Sequence, residues 1–420
     1  MDQPARPQVV IVGAGFGGLE AARALRRAPV DVVIVDQQNH HCFQPLLYQV
    51  ATALLSPADV AWPIRSIVER QSNVRVVMDR VRGVDVERRR VQGELVTLPY
   101  DHLVLATGAT HSYFGHDDWA PSAPGLKRIF DATEIRRRFL TAFERAELTD
   151  DKAEQQRLLT FVIVGGGPTG VEMAGAMVEV ARQTLQRDFR RIDPRTSRIV
   201  LIEAGPRLLT AFPEHLSAYA QRALERMGVE VRLSTLVTGC DQNGVTLGDT
   251  RLTASTVVWA AGVVASPAAK WLGVEADRAG RIKVGPDLAV PERPNVFAVG
   301  DTALVLEQSG RPVPGVAGAA KQMGKYVGRL IAARVAGRPQ PGPFVYHHTG
   351  DLATVGRKAA VVKLGRLELT GFLGWLFWSV VHIYFLIGLR NRLVVAATWL
   401  WSYVTYRRSA RLISPPPARP

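Results

Sequence analysis

The sequence predicts an α/β protein made of two similar strand–turn–helix units followed by a helical C-terminal module. Apolar, strand-like runs at 9–12 and 161–164 are each followed by a glycine-rich turn and an Ala-rich helical segment, which predicts the paired units. A long uncharged, aromatic stretch that begins at Gly371 predicts the C-terminal module. At 420 residues, 47% of them hydrophobic, the chain is long enough for two or three domains with sizeable cores.

The distribution of charge argues against nucleic acid as a partner. The chain has 52 Lys+Arg against 38 Asp+Glu, a formal charge of +14, and the basic residues are spread in small clusters. No zinc-finger spacing and no aromatic RNA-binding signature accompanies them. The histidines have no ligand partners at suitable spacing, so we predict no metal site. The start, MDQPARPQVVIVGAG, has no apolar stretch long enough for a signal peptide, so we expect a cytoplasmic setting.

The first unit carries a dinucleotide-binding fingerprint in the segment GAGFGGLEAARALRR. Gly13 allows the tight turn, Gly15 lets a pyrophosphate approach the backbone, and Gly18 lets helix and strand pack closely. The following helix N-terminus offers backbone N–H groups to phosphate charge. The next strand, 32–35, ends at Asp36, about twenty residues on, where a carboxylate can bind ribose hydroxyls.

The second unit repeats this pattern in GGGPTGVEMAGAMVEVA, with Gly165, Gly167 and Gly170 at the same three positions. The strand 199–202 ends at Glu203, and an acid there accepts a ribose 2′-hydroxyl and repels a 2′-phosphate, which favours NADH over NADPH. Arg207 is near enough to leave that strictness open. Two complete fingerprints predict two Rossmann-like dinucleotide-binding domains. The chemically useful pair is a flavin, which holds electrons, and a nicotinamide, which delivers hydride.

These residues resemble the two-dinucleotide flavoproteins of the pyridine nucleotide-disulfide reductase superfamily. Within it, the chain resembles the type II NADH:quinone oxidoreductases, which are single-chain NADH dehydrogenases that do not pump protons. The resemblance covers nearly the whole chain, including its C-terminal tail, and the motifs that carry it besides the fingerprints are HHCFQPLLYQVATALLSPADVAWPIR (40–65), LVLATGA (103–109), VVWAAGV (257–263), NVFAVGD (295–301), VPGVAGAAKQMGKY (313–326) and DLATVGRKAAVV (351–362).

The resemblance implies which fingerprint holds which cofactor. The residues implied to bind FAD are Gly13, Gly15, Gly18, Asp36, Thr107, Gly108 and Asp301. The residues implied to bind NADH are Gly165, Gly167, Gly170, Glu203 and Gly262. The implied domains are an FAD domain in two parts (1–115 and 264–340) and an NADH domain (116–263). A C-terminal module (341–420) follows, with membrane-associating helices at about 371–408.

The cysteine content indicates that the flavin does not pass its electrons to a protein disulfide. Disulfide reductases of this superfamily carry a cysteine pair after the first βαβ unit, whereas this chain has only Cys42 there and Cys240 far away. A lone thiol cannot cycle as an internal disulfide. The same absence disfavours a sulfide:quinone oxidoreductase, so the electron acceptor must lie outside the protein.

The C-terminal tail indicates that the acceptor is found in a membrane. Residues 371–389 contain no Asp, Glu, Lys or Arg, and a second uncharged stretch covers 393–406, with arginines at 390, 392, 407 and 408. Amphipathic aromatic rings favour the lipid headgroup boundary and arginines favour anionic lipid. A spanning helix, a buried helix pair and a helix pair lying in one leaflet are all open, and the composition favours the last. The aromatic residues of the tail are Trp375, Trp378, Tyr384, Trp399, Trp401, Tyr403 and Tyr406.

Two residues are the candidates for direct participation in the reaction. The resemblance places Glu172 near the nicotinamide, in substrate positioning or proton handling; a first-turn acid that stabilises its helix is the alternative. It places Gln322 on the quinone side, as the second glutamine of a motif resembling AQxAxQ, whose first glutamine is replaced here by Gly318. Lys321 and Lys358 could supply positive charge near a reduced flavin or quinol, or be ordinary solvated lysines.

The sequence therefore predicts FAD-dependent oxidation of NADH with two-electron reduction of a membrane quinone, ubiquinone or menaquinone, on the cytoplasmic face of the inner membrane. Two alternatives remain open: a soluble NADH:ferredoxin reductase-like flavoprotein and a membrane-attached redox sensor that does not turn over. The sequence leaves open which quinone is used and whether the protein is a homodimer.

Overall fold

The computed structural model describes residues 6–405, 408 and 410–413. Its α-helices are, in chain order, α1 (Phe16–Ala24), α2 (Leu47–Ala51), α3 (Pro57–Val60), α4 (Ile64–Val68), α5 (Ile129–Leu148), α6 (Lys152–Leu158), α7 (Pro168–Glu179), α8 (Glu214–Met227), α9 (Ala268–Leu272), α10 (Ala317–Val335), α11 (Gly371–Phe385) and α12 (Leu389–Thr405). Short 3₁₀ turns lie at Gln44–Leu46, Asp117–Trp119, Pro194–Thr196 and Gly300–Thr302, and a π turn at Val180–Thr184 continues α7.

The strands are β1 (Gln8–Val12), β2 (Asp31–Asp36), β3 (His40–Cys42), β4 (Ala61–Pro63), β5 (Val74–Met78), β6 (Val81–Asp85), β7 (Arg90–Gly93), β8 (Thr97–Pro99), β9 (His102–Leu105), β10 (Ala109–His111), β11 (Thr160–Val164), β12 (Arg198–Ile202), β13 (Val229–Arg232), β14 (Val237–Asp241), β15 (Gly244–Leu247), β16 (Thr250–Thr253), β17 (Thr256–Trp259), β18 (Val263–Ala265), β19 (Ile282–Lys283), β20 (Ala289–Val290), β21 (Arg293–Ala298), β22 (Ala303–Leu304), β23 (Asp351–Thr354), β24 (Ala360–Leu364) and β25 (Leu367–Thr370).

The chain divides into two compact units, each assembled from separate segments. The first unit consists of Met1–His41, Trp62–Thr110 and Val263–Thr349, and the second of Cys42–Ala61, His111–Gly262 and Gly350–Pro420. The boundaries expected from the sequence differ in two places, because residues 42–61 and 350–420 group with residues 111–262. The assignment of each unit to one cofactor domain stays a prediction.

The first unit is built on a sheet of six strands in the order β20–β21–β9–β1–β2–β5. All its neighbouring strands are parallel except β20 and β21. Strand β1 is apolar after its first residue and buried there, as expected for a parallel sheet covered on both faces. Helix α1 packs closely on α10: a β-carbon at Gly324 would lie 2.0 Å from the carbonyl oxygen of Gly17, so only glycine fits at that crossing.

The second unit contains a parallel sheet of four strands in the order β13–β12–β11–β17. An antiparallel sheet, β14–β15–β16, adds to it, and a shared apolar cluster contains Tyr113, Trp119 and Trp259. The predicted α/β architecture with two parallel-sheet, Rossmann-like domains is confirmed.

The C-terminal part of the second unit is an antiparallel sheet, β23–β24–β25, followed by α11 and α12. Helix α11 has 15 residues and α12 has 17. Among the residues that the structure describes, we find no helix with the length and apolarity that crossing a membrane requires. The expected C-terminal helices are therefore present, and Tyr406 and Arg407 lie outside the described residues.

Candidate active site

The glycine loop of the first unit has the shape that a bound pyrophosphate requires. Gly13 has φ +102°, and a β-carbon there would lie 2.3 Å from the carbonyl oxygen of Ala106. A β-carbon at Gly18 would lie 1.9 Å from the carbonyl oxygen of Gly13. Gly15 differs, because no atom lies within 4 Å of the place where its β-carbon would be. The space in front of Gly15 is thus a cradle that a side chain would fill.

Two further predicted segments meet beside this loop. The backbone N–H of Gly108 donates to Oγ1 of Thr302 at 3.0 Å, and the hydroxyls of Thr107 and Thr302 are 3.1 Å apart. The Thr107 hydroxyl also hydrogen-bonds that of Ser266. Asp301 precedes Thr302 in the 3₁₀ turn after β21. Within the first unit, the fold therefore brings together the three segments expected to bind FAD.

Asp36 organises the glycine loop through its carboxylate. Oδ2 accepts the backbone N–H of Ala14 at 2.7 Å, and Oδ1 accepts that of Gln38 at 2.8 Å. Carboxylate oxygens are the kind of acceptor that ribose hydroxyls require. Asp36 is thus placed at the end of β2 for the predicted role.

His41 is a polar residue of this site that the sequence interpretation missed. It is 4% exposed, and its Nδ1 lies 2.9 Å from the carbonyl oxygen of Ala14. Burial lowers the pKa of His41 to about 4, so the ring is neutral and Nδ1 donates this bond. Nε2 then carries a lone pair with no partner among the described residues. A buried acceptor beside the cradle at Gly15 fits a cofactor such as FAD, which carries sugar hydroxyls.

The second glycine loop repeats the geometry of the first. Gly165 has φ +112°, and a β-carbon there would lie 2.5 Å from the backbone of Ala260. A β-carbon at Gly170 would lie 1.8 Å from the carbonyl oxygen of Gly165, whereas the β-carbon position at Gly167 is open to 4 Å. The second unit therefore has its own cradle for a pyrophosphate.

Glu203 holds the second loop as Asp36 holds the first. Oε2 accepts the backbone N–H of Gly166 at 2.5 Å, and Oε1 accepts that of Gly205 at 2.7 Å. The guanidinium of Arg207 donates to the carbonyl oxygens of Phe212 and Thr210, at 2.8 and 3.0 Å. Arg207 is thus bound to its own loop.

Gly262, the last residue expected at the NADH site, lies against an aromatic ring. A β-carbon there would be 2.7 Å from Cζ of Phe114, which is 67% exposed. Any larger residue at this position would displace the Phe114 ring.

Glu172 is buried on α7. Its side-chain Oε1 accepts the backbone N–H of Thr354 at 3.3 Å. Burial raises the pKa of Glu172 to about 8, and the Thr354 N–H lowers it only in part. Glu172 is thus a group that can gain and lose a proton near neutral pH, which is the property a proton-handling residue requires.

A narrow cavity of about 50 Å³, here called the indole pocket, lies within the second unit. Trp375, Trp378, Trp399 and Tyr403 supply aromatic walls. The polar side chains at the pocket are Tyr48, Gln49, Thr52, Glu179, Thr354, Arg357, Ser402 and Arg408. Flat aromatic walls can stack on a planar ligand, and the polar side chains can meet its oxygen atoms.

One polar edge of the indole pocket is a buried ion pair. Nη2 of Arg408 lies 3.0 Å from Oε2 of Glu179, and both side chains are less than 10% exposed. Nη1 of Arg408 donates to the carbonyl oxygen and hydroxyl of Thr52, at 3.0 and 3.1 Å. Oε1 of Glu179 accepts the backbone N–H of Arg357 at 2.7 Å. The pair was not predicted, although an acid inside the apolar run GAMVEVA was a signal for it.

Gln322 lies on α10 in the first unit, where its amide is engaged. Nε2 donates to the carbonyl oxygen of His347 at 2.8 Å, and Oε1 accepts the N–H of His347 at 3.0 Å. One N–H and one lone pair of the amide remain for a ligand. A β-carbon at Gly318, where the family motif has glutamine, would be 3.1 Å from Oγ1 of Thr349. The side chain of Lys321 lies over the Phe16 ring, 5.3 Å from its centroid.

The tail helices expose a large apolar surface, here called the apolar tail surface. Its members are the exposed apolar residues of 372–404, namely Phe372, Leu373, Leu376, Val380, Tyr384, Phe385, Leu389, Leu393, Leu400, Trp401 and Val404. Trp378 and Trp399, by contrast, are 1% and 7% exposed. The aromatic residues of the tail therefore divide between the pocket wall and the surface.

Neither cysteine is bonded to the other, and burial raises the pKa of Cys42 to about 12 and that of Cys240 to about 11. Both thiols are thus protonated at neutral pH, and thiolates are the reactive form. Within residues 6–405, 408 and 410–413, no group of three or more His, Cys, Asp or Glu side chains could hold a metal ion.

Comparison with known proteins defines the class. The family model described as "Pyridine nucleotide-disulphide oxidoreductase" matches residues 7–324, and the one described as "NDH2 C-terminal domain" matches residues 348–408. The chain belongs to the pyridine nucleotide-disulphide oxidoreductases, flavoproteins that use FAD and a nicotinamide dinucleotide.

Relatives narrow the assignment within that class. Two type II NADH:quinone oxidoreductases of Mycobacterium tuberculosis, NdhA and Ndh, are 45% and 44% identical over 97% and 98% of this chain, and over 90% and 91% of their own lengths. An internal alternative NAD(P)H-ubiquinone oxidoreductase of Arabidopsis thaliana mitochondria is 30% identical over 97% of this chain and 86% of its own. The chain is a member of the type II NADH:quinone oxidoreductases, and the predicted family is confirmed.

A solved structure agrees with the fold. The structure of NDH2 from Plasmodium falciparum in complex with NADH matches with a TM-score of 0.88, 21% identity, 96% of this chain and 99% of that chain covered. This likeness extends over both units and the C-terminal helices.

Proposed function

We propose that the chain is a peripheral membrane enzyme that oxidises NADH through bound FAD and reduces a quinone in the indole pocket. The overall reaction is NADH + H⁺ + Q → NAD⁺ + QH₂. FAD supplies a centre that accepts hydride from the nicotinamide and passes on electrons in pairs. The residues of the chain bind and orient the reactants and handle protons.

The two glycine loops divide the cofactors between them. FAD is bound by the loop of the first unit, because a buried acceptor, His41 Nε2, lies beside that cradle together with the Thr107–Thr302 contact. NADH is bound by the loop of the second unit, where Glu203 meets the adenine ribose. Since Arg207 is tied to the carbonyl oxygens of its own loop, NADH is preferred over NADPH.

The indole pocket carries the quinone proposal. A quinone ring is planar and apolar with two carbonyl oxygens, and the pocket combines aromatic walls with polar side chains that can meet those oxygens. Its walls come from α11 and α12, whose outer surface is apolar. A quinone dissolved in lipid would therefore enter without crossing a polar surface. Both ubiquinone and menaquinone have this chemistry.

Glu172 and Gln322 keep the roles proposed from the sequence. Glu172, buried and with a pKa raised to about 8, handles a proton during turnover. For Gln322, a quinone-side contact through its remaining N–H stays the proposal made from the sequence, since Gln322 belongs to the first unit and is not among the residues that line the indole pocket.

The apolar tail surface holds the enzyme on the membrane. Its residues are 46% to 71% exposed and would be buried in lipid, and Arg390 beside them favours anionic headgroups. We place this membrane face on the cytoplasmic side, and a homodimer stays a prediction.

The quinone site is tested by the variant Trp399→Phe, which removes an indole N–H and part of the wall. The expected result is a rise of about tenfold in the KM for a short-chain quinone, equivalent to about 1.4 kcal/mol, with the KM for NADH unchanged. Trp271→Phe on α9 of the first unit is the matched control. An unchanged quinone KM in Trp399→Phe would place the quinone elsewhere.

Membrane binding is tested by co-sedimentation with vesicles that contain anionic lipid. The double variant Leu400→Ser/Trp401→Ser should lose vesicle binding, because about 2 kcal/mol of burial is lost for each side chain. Leu148→Ser, at the end of α5, is the control, because Leu148 is 77% exposed but lies outside the apolar tail surface. Equal binding by all three proteins would contradict this part of the proposal.

A further inference from the structure

Two cavities of the second unit meet at one side chain. The indole pocket is lined by Arg408, and so is a wider groove of about 480 Å³, here called the outer groove. Arg408 is the residue that the two linings share. The outer groove is polar and acidic: Glu144, Glu147 and Asp188 line it, together with Arg411, which pairs with Asp188.

Reduction of the quinone requires a proton, and water in the outer groove can supply it. Reduction of one quinone, Q + 2e⁻ + 2H⁺ → QH₂, consumes two protons inside a pocket with aromatic walls. NADH brings one of them as part of its hydride, so one further proton must come from water. A polar groove separated from the pocket by a buried carboxylate–guanidinium pair is a route for that proton.

We propose that Glu179 transfers a solvent proton from the outer groove to the quinone, and that Arg408 gates this transfer; the proposal rests on the quinone site proposed above. Glu179 lines the indole pocket, and its partner Arg408 lines both cavities. Glu179 is also the last residue of α7 before the π turn at Val180–Thr184. Single π turns inserted in helices are frequent at functional sites.

The transfer is balanced by the return of Glu179 to its charged state. A proton from water in the outer groove binds the Glu179 carboxylate and weakens its bond to Arg408. As two electrons reach the quinone, the O–H bond of Glu179 breaks and an O–H bond forms at a quinone oxygen. Glu179 is again a carboxylate and pairs with Arg408, and no protein group is oxidised or reduced.

The charges around Glu179 fit a group that exchanges protons. Arg408 faces it from the tail and Arg357 from the turn between β23 and β24, and both stabilise the carboxylate. Tyr48 faces it from α2, and Glu172 precedes it by two turns on α7. Burial acts against the carboxylate and prevails, so the pKa of Glu179 is raised above its ordinary value.

The test compares two electron acceptors in the variant Glu179→Gln, which keeps the shape of the side chain but cannot transfer a proton. The rate with a short-chain quinone should fall about 100-fold, as for loss of a general acid. The rate with ferricyanide, which takes electrons without protons, should stay within about twofold of wild type. The pH dependence of the quinone rate should lose the ionisation that Glu179 contributes.

Two further proteins make the outcome decisive. Glu179→Gln/Arg408→Met removes both charges, so the folded protein contains no unpaired buried arginine, and it should show the same loss with quinone alone. Glu230→Gln, which removes a carboxylate paired with Arg198 at the surface, should behave as wild type with both acceptors. FAD content and unfolding temperature are measured for each.

Two results would overturn the proposal. Quinone rates within about twofold of wild type in both Glu179 variants would show that the proton travels elsewhere. Equal losses of rate with quinone and with ferricyanide would show that the ion pair stabilises the structure and does not transfer a proton. If the quinone binds elsewhere, Trp399→Phe leaves the KM for quinone unchanged. Failure of the proposed quinone site is thus distinguished from failure of the proposed proton transfer.

Discussion

The indole N–H of Trp399 donates a 2.7 Å hydrogen bond to Oε1 of Gln49, a residue 350 positions earlier in the chain. Both side chains are buried. Nε2 of Gln49 in turn donates to the hydroxyl of Tyr48 at 2.8 Å. The C-terminal helix α12 and the short helix α2 are thus joined by a polar contact at the indole pocket.

This contact predicts strong coupling between the two side chains. Gln49→Leu and Trp399→Phe should each destabilise the protein by about 1–3 kcal/mol, because each leaves a buried partner unsatisfied. The double variant should lose less than the sum of the two, with a coupling energy of about 0.5–3 kcal/mol, measured by urea unfolding of the FAD-bound enzyme. Additive losses would mean that the two side chains do not stabilise each other.

The glycine loops could be predicted from the sequence because their geometry is local. Gly13 and Gly165 take a positive φ within a few residues of the strands that precede them, and the acids Asp36 and Glu203 follow in the next strand. Strand, turn and acid all lie within a single βαβ unit. Their spacing along the chain therefore carries the information, and the fold predicted from it is confirmed. The family was predicted from a resemblance that extends over nearly the whole chain, and it is also confirmed.

The polar wall of the indole pocket could not be predicted in this way. Arg408 and Glu179 are 229 positions apart, and Trp399 and Gln49 are 350 apart, so no local spacing relates them. Composition placed the tail aromatics at a lipid boundary. It could not separate buried Trp399 from Trp401, 61% exposed two positions later, because the rotation of a helix decides which side chain faces inward.

The two cradles predict different outcomes for matched alanine variants. Gly15→Ala places a methyl group where the FAD pyrophosphate is proposed to lie, so the purified protein should be colourless. Gly167→Ala does the same at the second loop, so the protein should stay yellow while its KM for NADH rises about tenfold, about 1.4 kcal/mol. Absorption at the flavin band and steady-state kinetics measure both effects. A yellow, fully loaded Gly15→Ala protein would contradict the assignment of FAD to the first loop.

The position of Glu203 at the second loop predicts a preference for NADH over NADPH. Glu203→Ala removes the acceptor for the ribose hydroxyl and the repulsion of a 2′-phosphate, so the kcat/KM ratio of NADH to NADPH should fall about tenfold, about 1.4 kcal/mol. Because Glu203 also fixes the loop through Gly166 and Gly205, kcat/KM should fall for both nucleotides, and it should fall further for NADH, whose ribose hydroxyl loses its acceptor. Arg207→Ala is the control and should leave the ratio unchanged. A changed ratio in Arg207→Ala would show that this arginine reaches the nucleotide.

The raised pKa of Glu172 predicts how the stability of the protein depends on pH. Its pKa is about 8 in the folded protein and about 4.5 when exposed, so the folded state holds more protons between these values. This carboxyl therefore makes stability fall as pH rises from about 4.5 to about 8. Glu172→Gln stays neutral, so its stability relative to wild type should increase across that window and level off above it. Urea unfolding at several pH values measures the difference.

The surface acid Glu230 provides the opposite control. Partial burial raises the pKa of Glu230, but hydrogen bonds and charge from Arg198 and Arg232 outweigh it and lower the pKa. The stability that this carboxylate contributes is therefore present at neutral pH and is lost as pH falls through its folded pKa. Glu230→Gln should therefore be less stable than wild type at neutral pH, whereas Glu172→Gln should be more stable. If Glu172→Gln also turns over more slowly with FAD fully bound, the buried carboxyl handles a proton during turnover and lowers the stability of the protein at neutral pH. Unchanged turnover in that variant would leave Glu172 with no role in the reaction.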